Sequence, residues 1–286
     1  MPLFAISAPL QWLHAWLNRC RRLSLPLLKR LSRWVYPTYG SHHTFRIGRR
    51  TLIKTGKRVR LAEAHTLQFI AANTSIPVPK VIDAWTLKDG GAAILMEWIE
   101  DATTLESHWP LMTDDQKLKV ARQLRACVDE LRMLQQPSDR IGWIGPLDGS
   151  PCWDERLRSQ LCGPFPSEST FNEFRLSLLD CFTWEESARR DIQAIKEGLR
   201  DDHHILFTHG DLGVRNILVD RHGGLVALID WEMSGWMPEY WEYIKTVHGR
   251  WEDEEWLSYA RIIAPEYDAE MAVDDQFIIV NGGAPF

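Results

Sequence analysis

Asp211 and Asn216 fall in one short run, His209-Gly210-Asp211-Leu212-Gly213-Val214-Arg215-Asn216, and a second carboxylate follows in Ile229-Asp230-Trp231-Glu232. Phosphoryl transfer from ATP asks for such a set. One carboxylate must take or orient the proton of an attacking hydroxyl. An oxygen ligand and another carboxylate must hold the Mg²⁺ ions that bridge the phosphates. Asp-x₄-Asn on one loop and an Asp at the end of a nearby strand supply these three groups. Alone, an Asp or Asn beside glycine is a turn residue; the joint spacing is what points to chemistry.

The elements around them fit that reading. Ile217 to Val219, the turn Asp220 to Gly224, and Leu225 to Ile229 read as a hairpin that folds Asp230 back toward Asn216. Upstream, Thr44 to Ile47 and Thr51 to Lys54 read as a strand pair turning at Gly48-Arg49-Arg50. A helix is expected from about Arg60 to Ala72, ended by Ile76-Pro77-Val78-Pro79. Strands are expected over Lys80 to Trp85 and Ala92 to Ile99. Lys54 then ends a strand and Glu63 opens a helix, the placement of a Lys–Glu pair that holds the Lys against ATP phosphates. Farther on, Thr113 to Leu134 reads as a long amphipathic helix capped by Thr113 or Asp114. Residues 137–167 read as surface loop, and helices are expected near 170–182, 184–199 and 238–263. The tail after Val273 is weakly patterned. His203 and His204 read as a solvated helix end, and His209 as a residue that shapes its loop.

The segment from Phe207 to Glu242 resembles the catalytic core of the aminoglycoside phosphotransferase and choline kinase superfamily, and the fuller run including Trp236-Met237-Pro238-Glu239-Tyr240-Trp241-Glu242 resembles its many fungal members. The resemblance covers roughly residues 45–270. It implies an α+β, protein-kinase-like two-lobed fold, with a small β-sheet lobe bearing one helix and a larger, mostly helical lobe. It implies ATP and Mg²⁺ as cofactors, Asp211 as catalytic base, and Asn216 and Asp230 as metal ligands. Ile94-Leu95-Met96-Glu97-Trp98-Ile99 resembles the hinge, where the backbone of Glu97 and Ile99 would bond adenine. The expected division is 1–36 as a basic helical segment, 37–100 as the nucleotide lobe and 101–286 as the catalytic, acceptor-binding lobe.

Two departures stand out. No good glycine-rich phosphate loop lies ahead of Lys54, and Gly40-Ser41-His42-His43 is the only candidate. The position two residues after Asp211, a Lys in protein kinases, is Gly213, and Arg215 is the candidate for the missing charge. This favours a small-molecule kinase over a protein kinase. No Walker A loop and no G-x-S-x-G elbow occurs. The competing reading is a catalytically silent, kinase-like binding module, set second because Asp211, Asn216 and Asp230 are all present.

Composition bears on partners. The chain of 286 residues has net charge −6, which argues against nucleic acid. Residues 1–62 hold 13 Lys/Arg and no Asp/Glu. Of 33 basic and 39 acidic residues in all, the remainder therefore holds 20 and 39, a balance of −19. The acidic, Trp-rich stretch Glu239, Trp241, Glu242, Trp251, Glu252, Asp253, Glu254, Glu255 and Trp256 suits a hydroxylated amine as acceptor, and a neutral metabolite fits equally. The five cysteines, without a C-x-x-C pair, read as reduced thiols in the cytoplasm. Leu10 to Tyr36 reads as two short helices split by Pro26. Packing on the body is preferred, a membrane-surface helix comes second and a mitochondrial transit peptide third.

Overall fold

The computed structural model describes residues 24–36, 43–158, 160–180, 186–248 and 254–280. They form two compact units, one within Met1–Ala64 and Pro79–Glu100 and the other within His65–Val78 and Asp101–Phe286. The fold is α+β and protein-kinase-like, with a small sheet lobe and a larger, mostly helical lobe.

In the first unit, helix α1 covers residues 24–35, so Pro26 lies inside a helical run. The expected helix before it lies outside the described residues. Four antiparallel strands follow, β1 (Thr44–Gly48), β2 (Thr51–Gly56), β3 (Val81–Thr86) and β4 (Ala92–Glu97), in the order β1-β2-β4-β3. β2 is paired along both edges and its middle residues Ile53, Lys54 and Thr55 are buried; Lys54 pairs in register with Thr44 and Ile94. Leu25, Phe45, Ile53, Trp85 and Ala93 form the core of this unit. Helix α2 (Leu61–Asn73) starts here, and its later turns belong to the second unit.

The second unit opens with β5 (Thr103–Thr104) and α3 (Leu105–His108), then the long α4 (Asp114–Met133). Thr113 caps α4 reciprocally with Gln116, as the capping pattern requires. Val120, Leu124, Val128 and Leu131 make its buried stripe. Helices α5 (Glu168–Ser177) and α6 (Glu186–Gly198) follow. Next come β6 (Ile205–Thr208), β7 (Ile217–Val219), β8 (Leu225–Leu228) and β9 (Gly235–Pro238), and the described chain ends in α7 (Trp241–Val247), α8 (Glu254–Ile263) and α9 (Asp268–Val280). β5, β7 and β8 form one antiparallel sheet, and β6 pairs with β9. Trp109, Trp231, Trp236, Trp241 and Trp256 are fully buried and dominate the interior of this unit.

Two expectations are corrected and a third is explained. Residues 137–167 are not a surface loop: Ile144, Cys152, Asp154, Leu157 and Phe165 are buried, and backbone bridges join Ile144 to Phe165 and Cys152 to Cys162. The weakly patterned stretch after Val273 continues α9 as far as Val280, and its apolar pattern is broken because Asp274 faces inward to Arg156 (3.0 Å) and Arg175 (2.7 Å). His203 is not solvated. It lies between Glu168 (2.8 Å) and Glu270 (3.1 Å) with a side chain 4% exposed.

Candidate active site

Strand β6 delivers the chain into His209-Gly210-Asp211. Gly210 has φ +75°, and a Cβ there would stand 2.5 Å from the Met233 carbonyl, so only glycine fits. A 3₁₀ turn over Val214–Asn216 then brings the chain back over the loop and into β7. Arg215 Nη2 donates to both Asp211 carboxylate oxygens, at 2.7 and 2.9 Å. Asn216 Nδ2 donates to Asp211 Oδ2 at 2.7 Å and to its carbonyl at 2.9 Å. The Asp211 carboxylate is therefore held in one orientation by two donors from its own loop.

The hairpin does what its sequence suggests. Asp220 Oδ1 accepts from the N–H groups of His222 and Gly224, closing an Asx-type turn. Ile217 pairs with Leu228, and Ile229 N–H donates to the Asn216 carbonyl at 2.9 Å. Asp230 thus leaves the sheet beside Asn216. It has φ 66° and ψ 60°, a left-handed conformation uncommon for aspartate and the kind of local strain found at functional positions.

His209 ties the two loops together. Its Nδ1 accepts from Asp211 N–H at 3.2 Å, so the proton sits on Nε2, which donates to the Ile229 carbonyl at 3.1 Å. The ring packs on Trp231, with centroids 4.4 Å apart. Burial lowers its pKa below the usual 6.5, against the pull of Asp211 and Asp230. A neutral imidazole is what both hydrogen bonds require, in line with the loop-shaping role expected of it.

The residue that sequence reasoning misplaced is Glu242. It is 3% exposed and accepts from His209 N–H at 2.5 Å and Gly210 N–H at 3.2 Å. Burial pushes its pKa up to about 7, while those two N–H groups and Lys245 pull it down. A turn later on α7, Lys245 Nζ pairs with Asp154 at 2.8 Å, and Trp241 Nε1 donates to the same carboxylate at 3.1 Å. α7 therefore anchors both the Asp211 loop and the 152–157 segment. The available signal was a Glu and a Lys set within the apolar run Trp241 to Val247; charges in such a run are buried and paired.

In the other unit, Lys54 and Glu63 do meet. Lys54 Nζ lies 3.0 Å from Glu63 Oε1 and 2.9 Å from Oε2, and both residues are buried. Glu97 closes β4, and its N–H donates to the Lys80 carbonyl at 2.9 Å. An adenine there would have to use the Glu97 carbonyl and the Ile99 N–H. Gly40, Ser41 and His42, the sequence candidate for a phosphate loop, lie outside the described residues.

The sequence matches the phosphotransferase enzyme family (APH) over residues 47–274. The chain belongs to that family. Among solved structures, it is similar to the streptomycin-ATP-APH(2")-IIa ternary complex at 13% identity, covering 87% of this chain and 86% of that one, with TM-score 0.53. The GDP complex of aminoglycoside 2'-phosphotransferase-IIIa is similar at 14% identity, 91% and 89% coverage, and TM-score 0.55. A thermostable mutant of aminoglycoside phosphotransferase APH(4)-Ia gives 15%, 85%, 84% and 0.55. At these identities the likeness is one of fold. Comparison with curated sequences finds no match.

In this phosphotransferase the acidic, Trp-rich stretch is largely committed to its own structure. Glu239 binds Arg132 and Tyr267. Glu255 binds Lys117 at 2.6 Å and Trp109 Nε1 at 2.9 Å. Trp241 and Trp256 are buried. As the carboxylates and indoles of an acceptor site, these residues are therefore corrected. Trp251, Glu252 and Asp253 lie outside the described residues. Outside that stretch, the charge of Glu155 acts on Arg215.

Proposed function

We propose that this phosphotransferase uses ATP and Mg²⁺ to phosphorylate a hydroxyl of a small molecule. The observation that carries the reading is Asp211 held by Arg215 and Asn216, with Asp230 led to the same place by the β7–β8 hairpin. Asp211 would accept the proton of the acceptor hydroxyl as its oxygen bonds to the γ-phosphorus and the bond to ADP breaks. Arg215, already on Asp211, supplies the positive charge that Gly213 cannot. Asn216 suits a metal because its Nδ2 is spent on Asp211, which leaves the amide oxygen as the ligand atom. With the Asp230 carboxylate it makes a hard-oxygen pair for Mg²⁺. When bound, Mg²⁺ would neutralise charge on the phosphate oxygens. Lys54, fixed by Glu63, is the phosphate-side cation of the sheet lobe.

ATP is put first, and GTP is the alternative: one similar structure is an ATP complex and another a GDP complex. A hydroxylated amine is the acceptor class we put first. Beyond residue 62 the chain holds 39 acids against 20 bases, a field that gathers cations. The test is transfer of label from γ-³²P-ATP to a panel of hydroxylated amines and neutral polyols, with wild type and Asp211→Asn. We expect an acceptor-dependent, Mg²⁺-dependent product, reduced about 10²–10⁴-fold in the variant. Equal turnover by the variant would remove Asp211 as the base.

A further inference from the structure

Helix α1 meets the sheet of its own unit by one narrow face. Leu25 is buried against Phe45, Ile53, Trp85 and Ala93, and Ser32 is buried two turns later. Lys29 Nζ and Arg33 Cζ lie 5.0 and 5.6 Å from the centre of the Phe45 ring, so their stems run along the same contact. These contacts fix which way the helix faces.

The opposite side carries Leu27 (60% exposed), Leu31 (48%), Trp34 (82%) and Val35 (52%). Their spacing, i, i+4, i+7 and i+8, puts them in one stripe. Single exposed hydrophobics are ordinary, but a row of four on one face, with an indole at its end, marks an interaction surface.

Charge identifies what would cover it. Lys29, Arg30 and Arg33 are the only charged residues between 24 and 35, and no carboxylate occurs anywhere from 1 to 62. Arg30 is exposed one turn before Trp34 and borders the stripe. An aliphatic stripe, a Trp and a bordering cation, with no carboxylate near them, fit a helix lying in the plane of a bilayer interface. Leu and Val enter the acyl boundary, the indole sits at headgroup level, and Arg30 meets anionic headgroups, while Lys29 and Arg33 stay against Phe45. Among the described residues no helix is long and apolar enough to cross a membrane. We propose that α1 seats its Leu27–Leu31–Trp34–Val35 stripe on an anionic membrane surface and so holds this phosphotransferase at the bilayer. The packing on the sheet and the lipid contact are compatible, because they use different faces.

The test is vesicle co-sedimentation of the full chain, comparing phosphatidylcholine vesicles with and without phosphatidylserine, at low and high salt. The variants are Leu31→Glu/Trp34→Glu and Arg30→Glu. All three positions are exposed, so an unchanged melting temperature is expected and shows that the fold is intact. The proposal expects binding to phosphatidylserine vesicles, weakened by salt and by Arg30→Glu, and reduced about tenfold or more by the double variant. Three results would overturn it: no wild-type binding to anionic vesicles, equal binding by the double variant, or equal binding to neutral vesicles. A wild-type dimer that the double variant converts to monomer, without vesicle binding, would give the stripe to a second copy of the chain instead.

Discussion

Replacing Glu242 by glutamine separates what a buried charge does to stability from what it does for the catalytic loop. Burial raises this carboxyl from the ordinary 4.5 to about 7. Between those values the folded chain keeps a proton that the unfolded chain has released, so stability falls as pH rises through that window. At about 1.4 kcal/mol per pH unit, the loss amounts to about 3 kcal/mol and is complete above roughly pH 7. Glutamine is neutral throughout and resembles the protonated acid. The variant should match wild type near about pH 5. Near about pH 8 it should gain relative to wild type by up to about 3 kcal/mol, less about 1 kcal/mol for a lost hydrogen bond. Activity should move the other way. Only the carboxylate presents acceptors to both His209 N–H and Gly210 N–H. A glutamine turns an NH₂ toward one of them, and a shift of roughly 1 Å at Asp211 would lower kcat by about 10²-fold. Urea denaturation and kcat at both pH values provide the assay. A variant that loses stability relative to wild type as pH rises, or that keeps its kcat, would refute the reasoning.

Two further substitutions probe the scaffold beneath the loop. Asp154→Ala leaves Lys245 and Trp241 Nε1 without their shared acceptor, and breaking a buried pair from one side should cost about 3–5 kcal/mol in urea unfolding. A loss below about 1 kcal/mol, the scale of an exposed pair, would mean that Lys245 finds water. Gly210→Ala places a Cβ 2.5 Å from the Met233 carbonyl at φ +75°, so turnover should collapse with a stability loss of about 1–3 kcal/mol. Full turnover would show that the loop tolerates another path.

Local pattern made much of the fold legible. The strand pairs, α2 and the Thr113-capped α4 follow from alternation, proline punctuation and a capping box, each written within a few residues. The Asp211–Asn216 loop and the hairpin to Asp230 were legible for the same reason, since turn chemistry and spacing act over short range. What the sequence hid depends on distant partners. α9 looked unpatterned because Asp274 points inward to arginines on other segments. Residues 137–167 looked like surface because their composition is that of loops, while their burial comes from packing against β9 and α7. Glu242 looked like part of an acidic, Trp-rich acceptor stretch, and only its contact with N–H groups more than thirty residues earlier reveals it as a loop anchor. The exposed stripe of α1 was equally invisible, because helical spacing alone does not say which apolar face finds the core.

The proposed function rests on Asn216 and Asp230 forming a metal-dependent nucleotide site. Calorimetric titration with a non-hydrolysable ATP analogue, with and without Mg²⁺, tests it on wild type and Asp230→Asn. Asparagine tolerates the left-handed backbone of this position, so the variant should fold. Mg²⁺-dependent binding is expected in wild type, weakened about tenfold or more in the variant. Binding that ignores Mg²⁺, or that is equal in both proteins, would contradict it.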